Sequence, residues 1–338
     1  MTIRDVAREA GVSVGSVSRA LNGGKNVSAR VARDVAAAAE KLGYQPDLQA
    51  RSLRTRTTGM VGCLVSDVAN PLYASIVQAA EARLRDAGLL MVVANTANDP
   101  ARERAVVAAF RSRRLDGMLV APGSDENDRA WRELAAGGAP VVILDRDVPH
   151  EEDTPWPAVL VDHREGARTA TRYLIGLGHR RIALLTPGAR MRPGRERIAG
   201  FKAAFAEADV DPAGALVCLQ ESSMDFAQGD ALELLRRDQR PTAIIALGTR
   251  ILAGALRAAR DLGLSIPADL SVIAVGDTDL AAVHSPAITA LRWSLEDVGR
   301  AAAELLLQRL RGTGEGPSRA LLPVDLVLRE SCAPPTAK

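Results

Sequence analysis

Two short helices joined by a tight turn are predicted by the first 22 residues, MTIRDVAREAGVSVGSVSRALN, and this pattern constrains the fold more than any other. Apolar residues recur at three- and four-residue spacing over residues 3–10, which indicates one buried helical face. Gly11 suits the left-handed turn that follows, and Ser13 is a natural N-cap for a second helix whose inner face carries Val17. The polar outer face of such a helix fits the DNA major groove; the alternative is an ordinary αα-hairpin.

Positive charge is concentrated at the same end of the chain. Residues 1–58 hold 10 Lys or Arg and 5 Asp or Glu, whereas the rest of the chain holds 33 and 36. A basic head on a slightly acidic body would attract the phosphate backbone of nucleic acid to the head. The alternative is a chance distribution of solvated charges, which the charge count by itself does not exclude.

A third predicted helix and a linker complete the basic head. Ser28 is the expected N-cap of a helix over residues 29–42, and Gly43 ends that helix. Beyond Pro46 the segment DLQARSLRTRTTG has little apolar content. Such a segment cannot form a core by itself, so we expect it to become helical only when it meets a partner.

From Met60 onward the pattern changes to alternating strands and helices. The apolar runs lack polar–apolar alternation, which is typical of parallel strands covered by helices on both faces. Two such series predict two doubly wound subdomains with a ligand cleft between them, because ligands of these sheets bind beyond the carboxyl ends of the strands. The predicted strands span 60–66, 89–95, 117–122, 140–145 and 158–162 in the first series and 181–187, 215–220, 243–247, 270–275 and 288–293 in the second, and the predicted helices include 72–87, 101–113, 164–177, 196–208, 226–238 and 249–262.

Composition and motif content exclude several classes of protein. Cys63, Cys218 and Cys332 have the spacing of neither a disulfide framework nor a metal site, and no apolar run reaches the length of a membrane span. The four histidines are scattered, and His179 is placed as a capping or packing residue. No nucleophile, phosphate-loop or metalloprotease motif occurs, and the amino-terminal helix is unlike a signal sequence. We therefore expect a cytoplasmic, nucleoid-associated protein without catalytic residues, metal or cofactor.

Ordered motifs along nearly the whole chain resemble the lactose-repressor family of bacterial transcription regulators. The head of that family is similar to TIRDVAREAGVSVGSVSRALNG, its hinge to GYQPDLQARSLRT, and the first strand and helix of its sensor to VSDVANPLYASIVQAAE. Later landmarks follow in the family's order as RRLDGMLVAP, PVVILDR, LGHRRIALL, RERIAGFKAAF, LGLSIPADLSVIAV and LVLRES. The resemblance implies a homodimer that binds a double-stranded, pseudo-palindromic DNA operator, represses transcription and is controlled by a small-molecule effector, a sugar or related metabolite.

The resemblance also implies how the chain is divided. Residues 1–46 correspond to an all-α helix-turn-helix head, 47–58 to a hinge helix or linker, and 59–331 to a two-lobed α/β sensor like the periplasmic binding proteins. This sensor would also dimerise. Residues 332–338 are expected to be a disordered tail, since their two prolines forbid the tetramerising helix of some family members. The expected N-subdomain is about 59–161 plus 293–320, and the expected C-subdomain is about 162–290 plus 321–331.

In this family the second helix of the head reads base edges with its N-terminal residues. Arg19 is the strongest candidate here, because a guanidinium pairs with O6 and N7 of guanine. Gly15 has no side chain for such a contact. Short polar side chains in the head are of the type that positions phosphates, and for each one a helix cap or a solvated hydroxyl is an equal alternative. The implied DNA-binding set is Thr2, Ser13, Val14, Gly15, Ser16, Ser18, Arg19, Asn22, Asn26, Ser28, Arg51, Ser52, Leu53 and Arg54.

The hinge match places Leu53 at the operator centre, where the family inserts a leucine into the minor groove. An inserted apolar side chain unstacks a base step and kinks the duplex, which suits a flexible pyrimidine–purine step such as CG. Arg51, Arg54 and Arg56 would lie near phosphates. The alternative for Leu53 is a tether residue that contacts its own domain. Asp47 stands where the family often has asparagine, and its position permits a helix cap.

The effector site is implied by resemblance alone. Arg197 is the leading candidate, since the family's arginine at this place meets polar groups of the ligand. Asp145 and Arg146 are expected beside it, and mutual salt bridging is the alternative role for part of this group. The full implied set is Asn70, Leu72, Tyr73, Asp145, Arg146, Arg197, Met224, Thr249, Gly276, Asp277 and Trp293.

Three departures from the family pattern affect this pocket. Gly276 stands where the family usually has an aspartate, so Asp277 is displaced by one position and would have to swing in. Gly248 and Thr249 replace the usual asparagine or aspartate of the preceding loop. Trp293 replaces a smaller polar residue and would either stack on a ring or fill the cleft. A regulator of the same fold with a lost or non-sugar effector site is therefore kept as the alternative, and a periplasmic-type sugar receptor or an enzyme on this scaffold is less well supported.

Overall fold

The computed structural model describes two compact units, Met1–Thr58 and Gly59–Lys338, and each is presented by itself. The division falls where the sequence places the start of the sensor. Structural description covers residues 1–21, 27–45, 57–125, 131, 134, 137–148, 156–313 and 319–336. Most of the predicted hinge lies outside these ranges, and so do the predicted DNA contacts Asn22, Asn26, Arg51, Ser52, Leu53 and Arg54.

The described residues of the first unit form three helices around a small apolar core. These are α1 (Ile3–Glu9), α2 (Val14–Leu21) and α3 (Ala29–Lys41). Val6, Val17 and Val35, one from each helix, are fully buried. Gly11 turns the chain between α1 and α2 at a φ of 65°, a conformation that residues with a Cβ rarely adopt. The hydroxyl of Ser28 accepts a hydrogen bond from the first turn of α3, as its predicted N-cap role requires.

The second unit begins with a subdomain built on a six-stranded parallel sheet. Its elements, numbered along the chain, are β1 (Met60–Val65), α4 (Pro71–Asp86), β2 (Leu90–Asn95), α5 (Pro100–Ser112), β3 (Gly117–Ala121), β4 (Val141–Leu144), β5 (Ala158–Val161), α11 (Leu295–Leu310) and β11 (Arg319–Leu322). The strand order is β11-β5-β4-β3-β1-β2. Strands β3, β4 and β5 are buried along their whole length, which accounts for their continuous apolar sequences.

The C-subdomain repeats this architecture. Its elements are α6 (His163–Gly176), β6 (Ile182–Pro187), α7 (Arg192–Glu207), β7 (Ala215–Gln220), α8 (Gln228–Leu235), β8 (Ala243–Leu247), α9 (Arg250–Asp261), β9 (Ser271–Val275), α10 (Asp279–Val283), β10 (Thr289–Arg292) and β12 (Asp325–Val327). The strand order is β12-β10-β9-β8-β6-β7, and β12 runs antiparallel to β10. The two sheets confirm the predicted pair of doubly wound subdomains.

Two strands and one helix boundary differ from the sequence-based expectation. Strand β11 pairs with β5 and extends the N-subdomain to Leu322, so the chain crosses to β12 after that residue rather than at 320. Helix α7 begins at Arg192 instead of 196, because Pro193 is compatible with the first turn of a helix. None of the helices in the described part of the chain has both the length and the apolar composition that a bilayer-spanning segment requires.

The prediction of a disordered tail is wrong for residues 332–336, the part of that tail that the structure describes. The amide of Ala333 donates to the Ser271 hydroxyl at 3.1 Å, and the Ala333 carbonyl oxygen accepts from the same hydroxyl at 3.1 Å. Nε2 of His179 lies 3.0 Å from that carbonyl oxygen as well. Proline prevents a helix here, but it does not prevent an extended segment from pairing buried polar groups. His179 has the packing role that the sequence predicts.

Candidate functional site

The head presents the outer face of α2 to solvent. Val14 is 41% exposed, and Gly15 and Arg19 are also exposed. The Ser13 hydroxyl accepts from the Ser16 amide at 3.1 Å and caps the helix. Arg19 reaches back along the helix, where its Nη2 donates weakly to the Ser16 hydroxyl at 3.4 Å. The structure thus brings these predicted DNA-facing residues to one surface, opposite the buried Val17.

Two other predicted phosphate contacts are helix caps. The amide and the hydroxyl of Thr2 each donate to the Asp5 carboxylate at 2.9 Å. These bonds, first of all the backbone one, lower the pKa of Asp5. Ser28 caps α3. Both hydroxyls remain at exposed helix N-termini, where a phosphate would also bind. A phosphate role for either hydroxyl stays a prediction.

A cavity of about 700 Å³, counting the space open to solvent at its mouth, lies in the cleft between the two sheets of the second unit. This volume is in the range of small-molecule sites. Its wall is formed where the carboxyl ends of the strands meet, as the fold predicts. Seven predicted effector contacts lie on the wall, namely Asn70, Leu72, Tyr73, Asp145, Arg146, Arg197 and Trp293.

Asn70 links the two subdomains across the cavity. It ends the loop after β1 and caps α4, since its side-chain oxygen accepts from the Leu72 amide at 3.0 Å. The side-chain nitrogen then donates to the Ser223 hydroxyl of the C-subdomain at 3.3 Å. One amide therefore uses its acceptor for the helix and its donor for the opposite wall.

Arg146 is a buried arginine held by neutral oxygen atoms. Its Nε donates to the Pro122 carbonyl at 2.8 Å, and Nη1 donates to the Asp145 carbonyl at 2.9 Å. Nη2 donates to the Tyr73 hydroxyl at 2.5 Å. These bonds fix the guanidinium against the wall, and no carboxylate of the described residues lies at salt-bridge distance from it.

Asp145, His163 and Arg197 form a chain of hydrogen bonds. Nη2 of Arg197 lies 3.4 Å from Nδ1 of His163, and Nε2 of His163 lies 2.7 Å from the Asp145 carboxylate. A guanidinium only donates, so Nδ1 must accept and the ring is neutral with its proton on Nε2. Burial lowers the pKa of His163 to about 4, although Asp145 opposes that shift. Burial by itself would raise the pKa of Asp145, but His163, Arg146 and Arg192 outweigh it and lower that pKa.

The neutral state of His163 predicts a pH dependence of stability. The unfolded chain takes up a proton near pH 6.5 and the folded ring only near pH 4. The free energy of unfolding should therefore fall as pH drops from 6.5 to 4, by at most about 1.4 kcal/mol per pH unit from this group. Thermal midpoints measured across this range should fall less steeply in a His163→Asn variant. Equal slopes in the two proteins would contradict the assigned ring state.

Asp125 links the two subdomains on the other side of the cleft. This N-subdomain carboxylate is about 6% exposed and accepts hydrogen bonds from the amide of Arg192 and, at 2.9 Å, from Nη2 of Arg195. Arg192 also donates through Nη1 to Asp145 at 3.2 Å. Salt bridges are thus present at the cleft, but they join Asp145 to Arg192 and Asp125 to Arg195. The alternative predicted from the sequence was pairing within Asp145, Arg146 and Arg197.

Four predicted effector contacts lie outside the wall. Asp277 does not swing in, because both of its carboxylate oxygens accept from Nη2 of Arg329, at 2.7 and 2.8 Å. Met224 is replaced on the wall by its neighbour Ser223, and the Thr249 hydroxyl donates to the Ser223 carbonyl instead of facing the cavity. Gly276 lies behind Leu72 and Trp293.

Several wall residues were missed by sequence reasoning. Ser66 directly follows β1, Asn98 lies three residues beyond the end of β2, and Met191 and Pro193 are the N-cap and a first-turn residue of α7. Proximity to the carboxyl end of a parallel strand was the available signal for the first two. The residues at the start of α7 had no such signal, because that helix was predicted to begin later.

Comparison with known proteins gives consistent matches over both units. Residues 2–47 match the family described as bacterial regulatory proteins, lacI family, and residues 171–332 match a periplasmic binding protein-like domain. The chain is 30% identical to the HTH-type transcriptional regulator DegA of Bacillus subtilis (strain 168) over 98% of both chains. It is 32% identical to the ribose operon repressor of Haemophilus influenzae, again over 98% of both chains. A crystal structure of the lac repressor dimer bound to operator and the anti-inducer ONPF is similar with a TM-score of 0.84 and 27% identity, covering 98% of this chain and 99% of that one.

Proposed function

Because this chain belongs to the lacI family of bacterial regulatory proteins, we propose that it is a transcriptional repressor that binds a pseudo-palindromic operator as a homodimer. The observation that carries this proposal is the exposed face of α2, with Arg19 and Ser16 outside and Val17 buried beneath. A short capped helix with this division of faces fits the major groove. The lac repressor, a structural neighbour, is described as a dimer bound to operator. Such a protein acts at the nucleoid in the cytoplasm, and catalysis is no part of the proposal.

The cleft supports control by a small molecule. Its wall combines residues of both subdomains, for example Asn70 and Arg146 from one and Arg197 from the other. A ligand that touches both sides changes the free-energy difference between open and closed arrangements. We infer that this change is passed to the dimer and thereby to operator affinity. The wall residues named above are proposed as effector contacts, with Ser66, Asn98 and Ser223 added.

Selection from random duplex DNA tests the DNA-binding proposal. The full-length protein should enrich an inverted repeat, because two symmetric heads demand two half-sites. Arg19→Ala should relax base preference at one position in each half-site and weaken binding about 10- to 100-fold. Arg8→Ala is the matched control, since this exposed arginine on α1 pairs only weakly with Asp5, at 3.6 Å. An unchanged preference in Arg19→Ala, or no inverted repeat for the wild type, would contradict the proposal.

A regulator with a non-sugar effector is the second candidate, and one observation favours it. A side chain at Gly276 would meet Leu72 at 3.1 Å and Trp293 at 3.7 Å. Apolar groups therefore occupy the place where the family resemblance would put an acidic side chain. Hydroxyl groups of a sugar would lack that acceptor.

A further inference from the structure

The cavity wall holds more positive than negative charge. Arg146 and Arg197 are each about 5% exposed. Within the described ranges of the chain, Asp145 is the only acidic side chain on the wall. It already accepts from His163, Arg192 and the amide of Val161. Asp145 and Asp125 favour the charge of Arg146, but Arg197 has no carboxylate at salt-bridge distance among the described residues. A buried cation without a paired carboxylate is costly to keep out of water, so the site is poised to receive an anion at Arg197.

Arg197 is the cation with unused donors. Its Nε is buried and has no hydrogen-bond partner among the described residues. Its Nη2 lies 3.4 Å from Nδ1 of His163, a long contact that ends on a neutral ring. Burial lowers the pKa of Arg197 to about 10, with Asp145 raising it and Arg146 lowering it further. The guanidinium is therefore still protonated at neutral pH, and Arg197 lines the cavity with its Nε unsatisfied by the described residues.

The rest of the wall near Gly276 is apolar. Leu72 and Trp293 occupy the space in front of this glycine, and Ile76, Leu247 and Leu295 extend the same surface. The Trp293 ring is fixed edge-to-face against His163, with 5.3 Å between ring centroids. A ligand in this cavity meets a cationic side and a hydrocarbon side.

We propose that the effector is a small organic carboxylate rather than a neutral sugar, with its carboxylate on Arg197 and its carbon skeleton against Leu72 and Trp293. The planar fork of a guanidinium matches the two oxygens of a carboxylate. That this ligand acts as an effector rests on the proposed function, whereas its chemical class rests on the charges and surfaces of the cavity. A neutral sugar supplies hydroxyls but leaves the charge of Arg197 uncompensated.

Thermal shift on the full-length protein at constant ionic strength tests this class. The probes are sodium benzoate, sodium hexanoate and sodium D-glucuronate, each paired with its neutral counterpart, namely benzyl alcohol, hexanol and D-glucose; D-glucose 6-phosphate is the phosphate arm. At least one carboxylate should raise the midpoint by about 3 °C or more at millimolar concentration, because it binds the folded state only. Its neutral counterpart should leave the midpoint unchanged.

Two arginine variants then test which cationic side chain binds the carboxylate. Arg197→Gln should abolish the carboxylate shift, whereas Arg236→Gln, at an exposed arginine after α8, should keep it. The unliganded midpoint of Arg197→Gln should equal or exceed that of the wild type, since an unpaired buried charge is removed. The proposal is overturned if no carboxylate stabilises, if a neutral counterpart or the phosphate ester stabilises more, or if Arg197→Gln keeps the shift.

The outcome separates the two proposals. If the protein selects an inverted repeat but none of the carboxylates stabilises it, the proposed function is supported and the carboxylate class is contradicted. If the protein binds a carboxylate through Arg197 but prefers no duplex sequence, the carboxylate class is supported and the regulatory function is contradicted.

Discussion

Val17→Asp should reduce specific operator binding by more than about 100-fold while the second unit keeps its wild-type thermal midpoint. Val17 is fully buried in a core whose other buried members are Val6, Ala7, Val35, Ala38 and Ala39. A core this small supplies little stability, and a carboxylate inside it has no counter-ion, so the head should unfold. The second unit has hydrophobic cores of its own, so we expect its thermal midpoint to stay unchanged.

The control for this prediction is Ala37→Asp. It adds the same charge on the exposed face of α3, where it should weaken binding only modestly through electrostatic repulsion. Filter binding or fluorescence anisotropy on the selected inverted repeat, with calorimetry of the same samples, gives both readouts. If Val17→Asp binds the operator as tightly as Ala37→Asp does, the buried side of α2 is not needed to hold its outer side in place.

Gly200→Ala should strongly lower the stability of the second unit. Gly200 lies on α7 where this helix crosses α6, and a Cβ built on it would be 2.0 Å from the carbonyl oxygen of Arg164. That oxygen is backbone and cannot rotate away, so the two helices must separate. We expect a loss of more than about 3 kcal/mol, or a drop of roughly 6–12 °C in thermal midpoint for a body of this size.

Gly176→Ala is the matched control. This glycine is in the last turn of α6, and a Cβ there would meet nothing within 4 Å. The exchange of glycine for alanine in a helix gains at most about 1 kcal/mol, so the midpoint should stay the same or rise slightly. If Gly200→Ala is as stable as Gly176→Ala, the close approach of α6 and α7 is wrong.

The fold could be predicted from sequence to a large extent because buried parallel strands are written as continuous apolar runs. All ten predicted strands occur in the structure. The two additional strands, β11 and β12, were not recognised since each is short and only partly buried, with the patterns RALL and DLV. Their identity as strands depends on partners more than 30 residues away, which no local pattern reveals.

The candidate site was less predictable, and the reason differs between residues. Asn70 and Asp145 were expected in the pocket because of the family resemblance, and both line the cavity. Asp277 was expected on the same ground, but Arg329 of a distant segment takes its carboxylate. Family resemblance therefore selects candidates, whereas long-range pairing decides which of them face the cavity.

Both six-stranded sheets receive their outermost strand, β11 or β12, from residues 319–327, after the other ten strands have been synthesised. Neither lobe can finish its edge while the ribosome is still making the preceding 318 residues. The nascent chain must then carry two open sheet edges at once, beside β5 and β10, and such edges pair readily with foreign strands. Translation speed and chaperone supply should consequently govern how much of this protein reaches its native state, more than they would for a protein whose lobes are consecutive in sequence.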